Sequence, residues 1–197
     1  MKAYIKNQIK SSYETKQKLY NDDLLLDKLV SLAHHCVALY KRDKKTILAG
    51  NGGSAADAQH IAAELVGRYG FDRPSIPSLA LTTDTSNLTA IGNDYGYDAI
   101  FSRQLEGMGQ EGDIFIGIST SGNSQNLINA FESAQKKNIL TVALVGKDGG
   151  KMAQMADIAL IVPSHETPRI QESHILIGHI LCDIIEKEMF GDGVENL

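Results

Sequence analysis

The chain has 197 residues, of which 43% are hydrophobic and 22% charged, and a formal net charge of −5. That is the make-up of a globular protein with apolar material enough for one core. The negative balance gives no general electrostatic reason to bind nucleic acid or an anionic membrane, and no run of about 18 apolar residues reads as a membrane span.

The opening MKAYIKNQIKSSYETKQ lacks the continuous apolar stretch of a secretory signal. From about residue 12 to 43, Leu25, Leu29, Leu32, Cys36 and Leu39 recur at three- and four-residue steps, which predicts an amphipathic helix. Asn21 and Asp22 either interrupt it or begin a second one. Cys36 and Cys182 both fall in apolar helical patterns, as two buried, reduced thiols would, and the chain reads as cytoplasmic. The large apolar face of this region is covered either by the chain's own sheet or by another subunit.

The period then changes. KTILAG is a short apolar run ending in glycine, and a helical pattern follows over about 54–66. Further strands are expected at 77–81, 113–119, 139–145 and 158–162, with helical material to about 108, over about 125–137, in a short piece after 147, and from about 168 to 190. TTDTSN reads as a loop. The strands are apolar throughout rather than alternating, which suits a sheet covered on both faces. Strand–helix alternation of this kind predicts an α/β chain with a doubly wound, five-stranded parallel sheet flanked by helices.

In such sheets ligands sit beyond the carboxyl ends of the strands, where loops meet helix N-termini. Two of those loops carry distinctive residues. The first strand runs into Gly50, Asn51, Gly52, Gly53 and Ser54, and the third into Ser119, Thr120, Ser121, Gly122, Asn123 and Ser124. Serine, asparagine and glycine cap helices and form turns everywhere. Four hydroxyls in one loop exceed what a single cap requires. Unpaired amides and uncharged hydroxyls at a helix N-terminus suit a phosphate. The spacing fits neither the dinucleotide fingerprint nor the P-loop, so the phosphate is expected on a small metabolite.

His60 and Glu64 lie four apart and project from one face of the helix that the glycine loop opens. The last helical segment carries Gln171, His174, Gly178 and His179. Two imidazoles, a carboxylate and an amide from two helices can hold one divalent ion, with zinc favoured by the imidazoles; the same groups can serve as base and acid without metal. His34, His35, His165 and His174 have weaker claims, the first two as structural residues of the N-terminal helix. Asn93 and Asp94, in the polar stretch IGNDYGYD between helical segments, either bind hydroxyls of a polyol or form a plain turn.

Five blocks in order, AGNGGSAADAQHIAAELVGRY, IGNDYGYDAIFSRQLE, GISTSGNSQNLINA, LVGKDGGKMA and RIQESHILIGHILCDIIEKEMF, resemble the bacterial phosphoheptose isomerases of the sugar-isomerase (SIS) domain superfamily. The resemblance covers nearly everything from about residue 40 and is weaker before it, dividing the chain into an N-terminal helical arm (1–43) and a SIS domain (44–197). It implies a cytoplasmic homotetramer with one zinc per subunit that interconverts sedoheptulose 7-phosphate and glycero-manno-heptose 7-phosphate, the first step towards the heptose of lipopolysaccharide core. His60, Glu64, Gln171 and His179 match its zinc positions. Asn51, Gly52, Gly53, Asn93, Asp94, Ser119, Thr120, Ser121 and Ser124 match positions that contact substrate, with Ser54 beside them and Glu64 and Gln171 shared. The implied chemistry is an enediol isomerisation with Glu64 as base and His179 as acid/base partner, or with zinc acting mainly as Lewis acid. Two rivals keep the fold: a non-catalytic SIS tetramer that associates with a replication initiator, and an isomerase of another sugar phosphate.

Overall fold

The structure, a computed structural model, describes residues 1–191. Its elements in chain order are α1 (Lys2–Tyr20), α2 (Asp23–Tyr40), β1 (Thr46–Gly50), α3 (Gly53–Val66), β2 (Ser78–Ala80), α4 (Thr85–Tyr95), a 3₁₀ turn (Tyr97–Ala99), α5 (Ser102–Met108), β3 (Ile114–Ser119), α6 (Gln125–Lys136), β4 (Leu140–Gly146), α7 (Gly150–Met155), β5 (Ile158–Val162) and α8 (Thr167–Phe190). The five strands form one parallel sheet in the order β2-β1-β3-β4-β5, the doubly wound arrangement that the strand–helix alternation predicts.

Every residue of β1 and β3 is buried, because successive side chains enter two separate cores. Leu48 and Ile116 point into the face covered by α2, α3 and α8, among Leu29, Cys36, Ile61 and Ile177. Their neighbours Ile47 and Phe115 point into the other, among Phe101, Leu105, Phe131 and Met152.

The N-terminal region is two helices. Asp22 ends one and starts the next: its Oδ1 accepts from the Leu25 amide at 3.0 Å, satisfying a donor that the first turn of α2 would leave unpaired. The chain's own fold covers the apolar face of α2, through Leu25, Leu29, Leu32, Ala33 and Cys36, whereas only Thr15 and Leu19 of α1 are buried. Cys36 and Cys182 are buried free thiols, as their apolar settings require.

One local expectation is corrected. Asn93 and Asp94 lie in the last turn of α4, not in a polar link between helices. The helix starts at Thr85, inside the segment that reads as a loop, because the Asp84 carboxylate accepts from the Asn87 amide at 3.0 Å and caps it.

The strand order reverses between β1 and β3. Their carboxyl ends, and the two loops that follow them, therefore open onto one crevice at the topological switch point.

Candidate active site

The glycine loop turns the chain from β1 into α3. Gly52 is the N-cap and holds φ +56°, a conformation that L side chains adopt only with strain. At Gly53 a Cβ would come within 2.5 Å of the Gln171 amide nitrogen, so the missing side chain leaves room for the end of the Gln171 side chain against the start of α3. Seven residues further along α8, Gly178 packs against Ile61, where a Cβ would lie 2.5 Å from Cδ1. The two helices thus run side by side at close range, and their exposed edges carry the ionisable groups.

There the Nε2 of His60 lies 3.0 Å from the Oε1 of Glu64 and 3.4 Å from the Nε2 of His179. The two imidazoles meet edge to face, with centroids 5.0 Å apart and planes at 71°. One ligand-type atom from each of His60, Glu64 and His179 lies within 4.8 Å of the others. Two ring nitrogens and a carboxylate oxygen so close are a donor set that one borderline-soft divalent cation satisfies, since each has a lone pair to offer and a shared cation removes their mutual repulsion. Gln171 lies eight residues before His179, about 12 Å of helix rise, with its amide against Gly53.

In the loop after β3, the Oγ atoms of Ser119 and Ser124 are 3.1 Å apart, and Ser119 also accepts from the Gly122 amide at 3.2 Å. The Ser124 side chain does not cap α6, although it stands at the N-cap position. Its hydroxyl pairs with Ser119 instead, and Thr120 beside it is half-buried. Ser121 accepts from the Asn123 amide at 3.2 Å and holds the loop closed.

The SIS-domain family model matches residues 12–146. A phosphoheptose isomerase of Sulfurimonas denitrificans is 79% identical over 98% of this chain and 100% of its own length. One from Aneurinibacillus thermoaerophilus is 58% identical over 96% of each. The solved phosphoheptose isomerase of Neisseria gonorrhoeae superposes with a TM-score of 0.88 at 44% identity, covering 94% of this chain and 98% of that one. The chain belongs to the phosphoheptose isomerase family of SIS-domain proteins.

In this member of the phosphoheptose isomerase family, Asn51 ties the two loops together through two partners that sequence reasoning does not single out. Asn51 and Asn126 exchange amide hydrogen bonds at 3.0 and 2.9 Å, and the Tyr97 hydroxyl donates to the Asn51 Oδ1 at 2.9 Å. Both partners sit inside quoted motif blocks. Their signal was position: Asn126 is in the first turn of the helix after the serine loop. Asn51 also lines a cavity of about 150 Å³, together with Gly52, Thr82, Leu88, Tyr97 and Phe101.

Asp57, one turn before His60, was also passed over. Its Oδ2 is buried without a hydrogen-bond partner, and burial raises the carboxyl above its ordinary range against the opposing pull of His60. Asn93 and Asp94 are exposed and bond to each other at 2.8 Å. His34 and His35 are exposed on α2, so neither is a core residue, and His174 is fully buried. No helix among the described residues is long and apolar enough to cross a membrane.

Proposed function

We propose that the chain interconverts sedoheptulose 7-phosphate and glycero-manno-heptose 7-phosphate, at the start of the route to the heptose of lipopolysaccharide core. The observation that carries this reading is the convergence of His60, Glu64 and His179 from two helices, in a chain whose β3 also runs into a loop of uncharged phosphate-type donors. A SIS-domain binding protein needs the loops but not the triad.

In the direction from ketose to aldose, a proton leaves C1 and one is delivered to C2, while O1 loses its proton and O2 gains one. Glu64 is the base we assign to the carbon-bound proton, and His179 moves the proton between the oxygens. The Ser119–Ser124 loop holds the phosphate, and binding energy from that remote group keeps the reacting carbons in place. Asn51, Gly52, Gly53, Ser54, Asn93, Asp94 and Gln171 are proposed to contact the sugar.

His60, Glu64 and His179 fit a zinc ion, with Gln171 as the proposed fourth ligand. When bound, zinc supplies Lewis-acid polarisation of the carbonyl. Glu64 has two carboxylate oxygens, of which Oε1 faces His60. The other is the one free to serve as base.

The exposed apolar residues Tyr4, Ile5, Ile9 and Tyr13 of α1, with Leu24, Leu26 and Val30 of α2, support self-association, which we assign as a cytoplasmic homotetramer. Incubation of purified protein with sedoheptulose 7-phosphate, followed by NMR, should show the aldose signal growing to a fixed ratio. A spectrum that stays that of the ketose overturns the reading.

A further inference from the structure

The α3 helix ends at Val66, two residues after Glu64, and its last carbonyls would lack partners in an isolated helix. Two of them, those of Glu64 and Leu65, are met by one side chain. The Arg73 guanidinium donates from Nη2 to the Glu64 carbonyl at 2.8 Å and from Nη1 to the Leu65 carbonyl at 2.7 Å, with longer bonds to Gly67 and Pro74. Its Nε donates to the Glu186 Oε2 at 2.8 Å, and both side chains are 1% exposed.

Glu186 lies on α8, seven residues after His179. A heptad on a helix returns to within about 20° of the same direction, so His179 and Glu186 share a face two turns apart. The Glu186 carboxylate also gathers the loop after α3, accepting from the amides of Tyr69 at 2.8 Å, Gly70 at 2.5 Å and Phe71 at 3.1 Å. Burial by itself would raise its pKa; the three amides and Arg73 outweigh that and hold it below the ordinary carboxylate range. The loop so folded sets the Tyr69 ring 5.7 Å from the His179 ring, with planes at 43°.

A buried ion pair is weak grounds for stability, since desolvation offsets most of its attraction. What distinguishes this one is its placement. It grips the main chain of Glu64 at one end and the helix face of His179 at the other, and it carries the aromatic ring that backs His179. We propose that Arg73 and Glu186 are positioning residues of the isomerase site, which set the separation of Glu64 and His179 and present Tyr69 to the imidazole. The inference rests on the metal-site reading above and adds the groups that hold its geometry.

The test uses Co²⁺ as a spectroscopic probe on the full chain, beside steady-state kinetics. Arg73→Lys keeps the charge, but a single nitrogen cannot span Glu64, Leu65 and Glu186. Glu186→Gln keeps the shape and turns one acceptor into a donor facing other donors. Each is expected to bind Co²⁺ about 10-fold or more weakly, the usual cost of losing outer support of a ligand set, with an altered ligand-field spectrum and a lowered kcat at little-changed KM. Phe115→Leu, in the opposite core, is chosen to lower Tm comparably and should move none of these readings.

Should the buried-pair variants fail to fold, Tyr69→Ala, at a residue 36% exposed, removes only the contact with His179 and should shift the Co²⁺ spectrum. Clamp or Tyr69 variants with the wild-type spectrum and affinity overturn the proposal, as does an equal change in Phe115→Leu. A wild-type chain that binds no Co²⁺ overturns the metal reading itself.

Discussion

His60 and His179, separated by 119 positions in the chain, face each other through Nε2 atoms 3.4 Å apart. Two imidazole lone pairs do not approach in this way without a proton or a cation between them. If a divalent ion is the shared partner, His179→Ala should purify with metal content well below the one ion per chain expected of the wild type, by elemental analysis. Wild-type protein treated with a chelator should lose thermal stability in step with the metal removed.

Glu64→Gln preserves the shape of the side chain and removes its basicity. Turnover of sedoheptulose 7-phosphate should fall by about 10²- to 10⁴-fold, the range that a positioned general base contributes, with Tm close to wild type. A variant with near-normal kcat would remove Glu64 from the base assignment.

The paired hydroxyls of Ser119 and Ser124 make a different demand. Removing both, as Ser119→Ala with Ser124→Ala, takes hydrogen bonds from a charged ligand group, each contributing about 1.5–3 kcal/mol. KM should rise by about 10-fold or more while kcat changes less. Steady-state kinetics decide this, and an unchanged KM counts against the phosphate cradle.

The two neighbouring glycines should respond differently to a methyl group. Gly53→Ala meets only the flexible end of Gln171, so it should fold with near-normal Tm while activity drops as the amide is displaced. Gly52→Ala meets no atom but keeps φ +56° and ψ −120°, outside the left-handed helical well, which costs about 1–3 kcal/mol and should appear in Tm. Thermal melts beside turnover separate the two.

His174 offers a pH test that reads stability rather than turnover. It is fully buried, neither ring nitrogen has a hydrogen-bond partner, and burial depresses its pKa to about 4, against a weaker opposing pull from the Val145 backbone. Between its ordinary value of 6.5 and about 4, the unfolded chain binds a proton that the folded chain does not. Stability should therefore fall as pH drops through that window, by roughly 3 kcal/mol in all. His174→Leu should make this acid limb shallower in urea titrations at about pH 7 and about pH 4.5, since it removes a group whose protonation opposes folding there.

Much of the site was legible in the chain because its elements are local. Residues 50–54 and 119–124 each follow an apolar strand and precede a helix, and the four-residue step from His60 to Glu64 fixes them on one face whatever surrounds them. The start of α4 was not legible, since Asp84 caps a helix in a segment whose composition favours turns. Nor were the neighbours of α8: an eight-residue step places Gln171 and His179 on one side of that helix, and only the packing of α3 against α8 sets the Gln171 amide beside Gly53 and His179 beside His60.

Backbone preference and side-chain period thus determined the strands, the helices and which residues crown them, because those choices involve near neighbours only. Partnership across the fold was decided by tertiary packing: His60 with His179, Asn51 with Asn126, and Arg73 with Glu186 lie 119, 75 and 113 positions apart. Nothing in the spacing of such residues encodes a distance. They meet because apolar burial brings two helices and two strand ends together, and the polar groups pair where that burial leaves them.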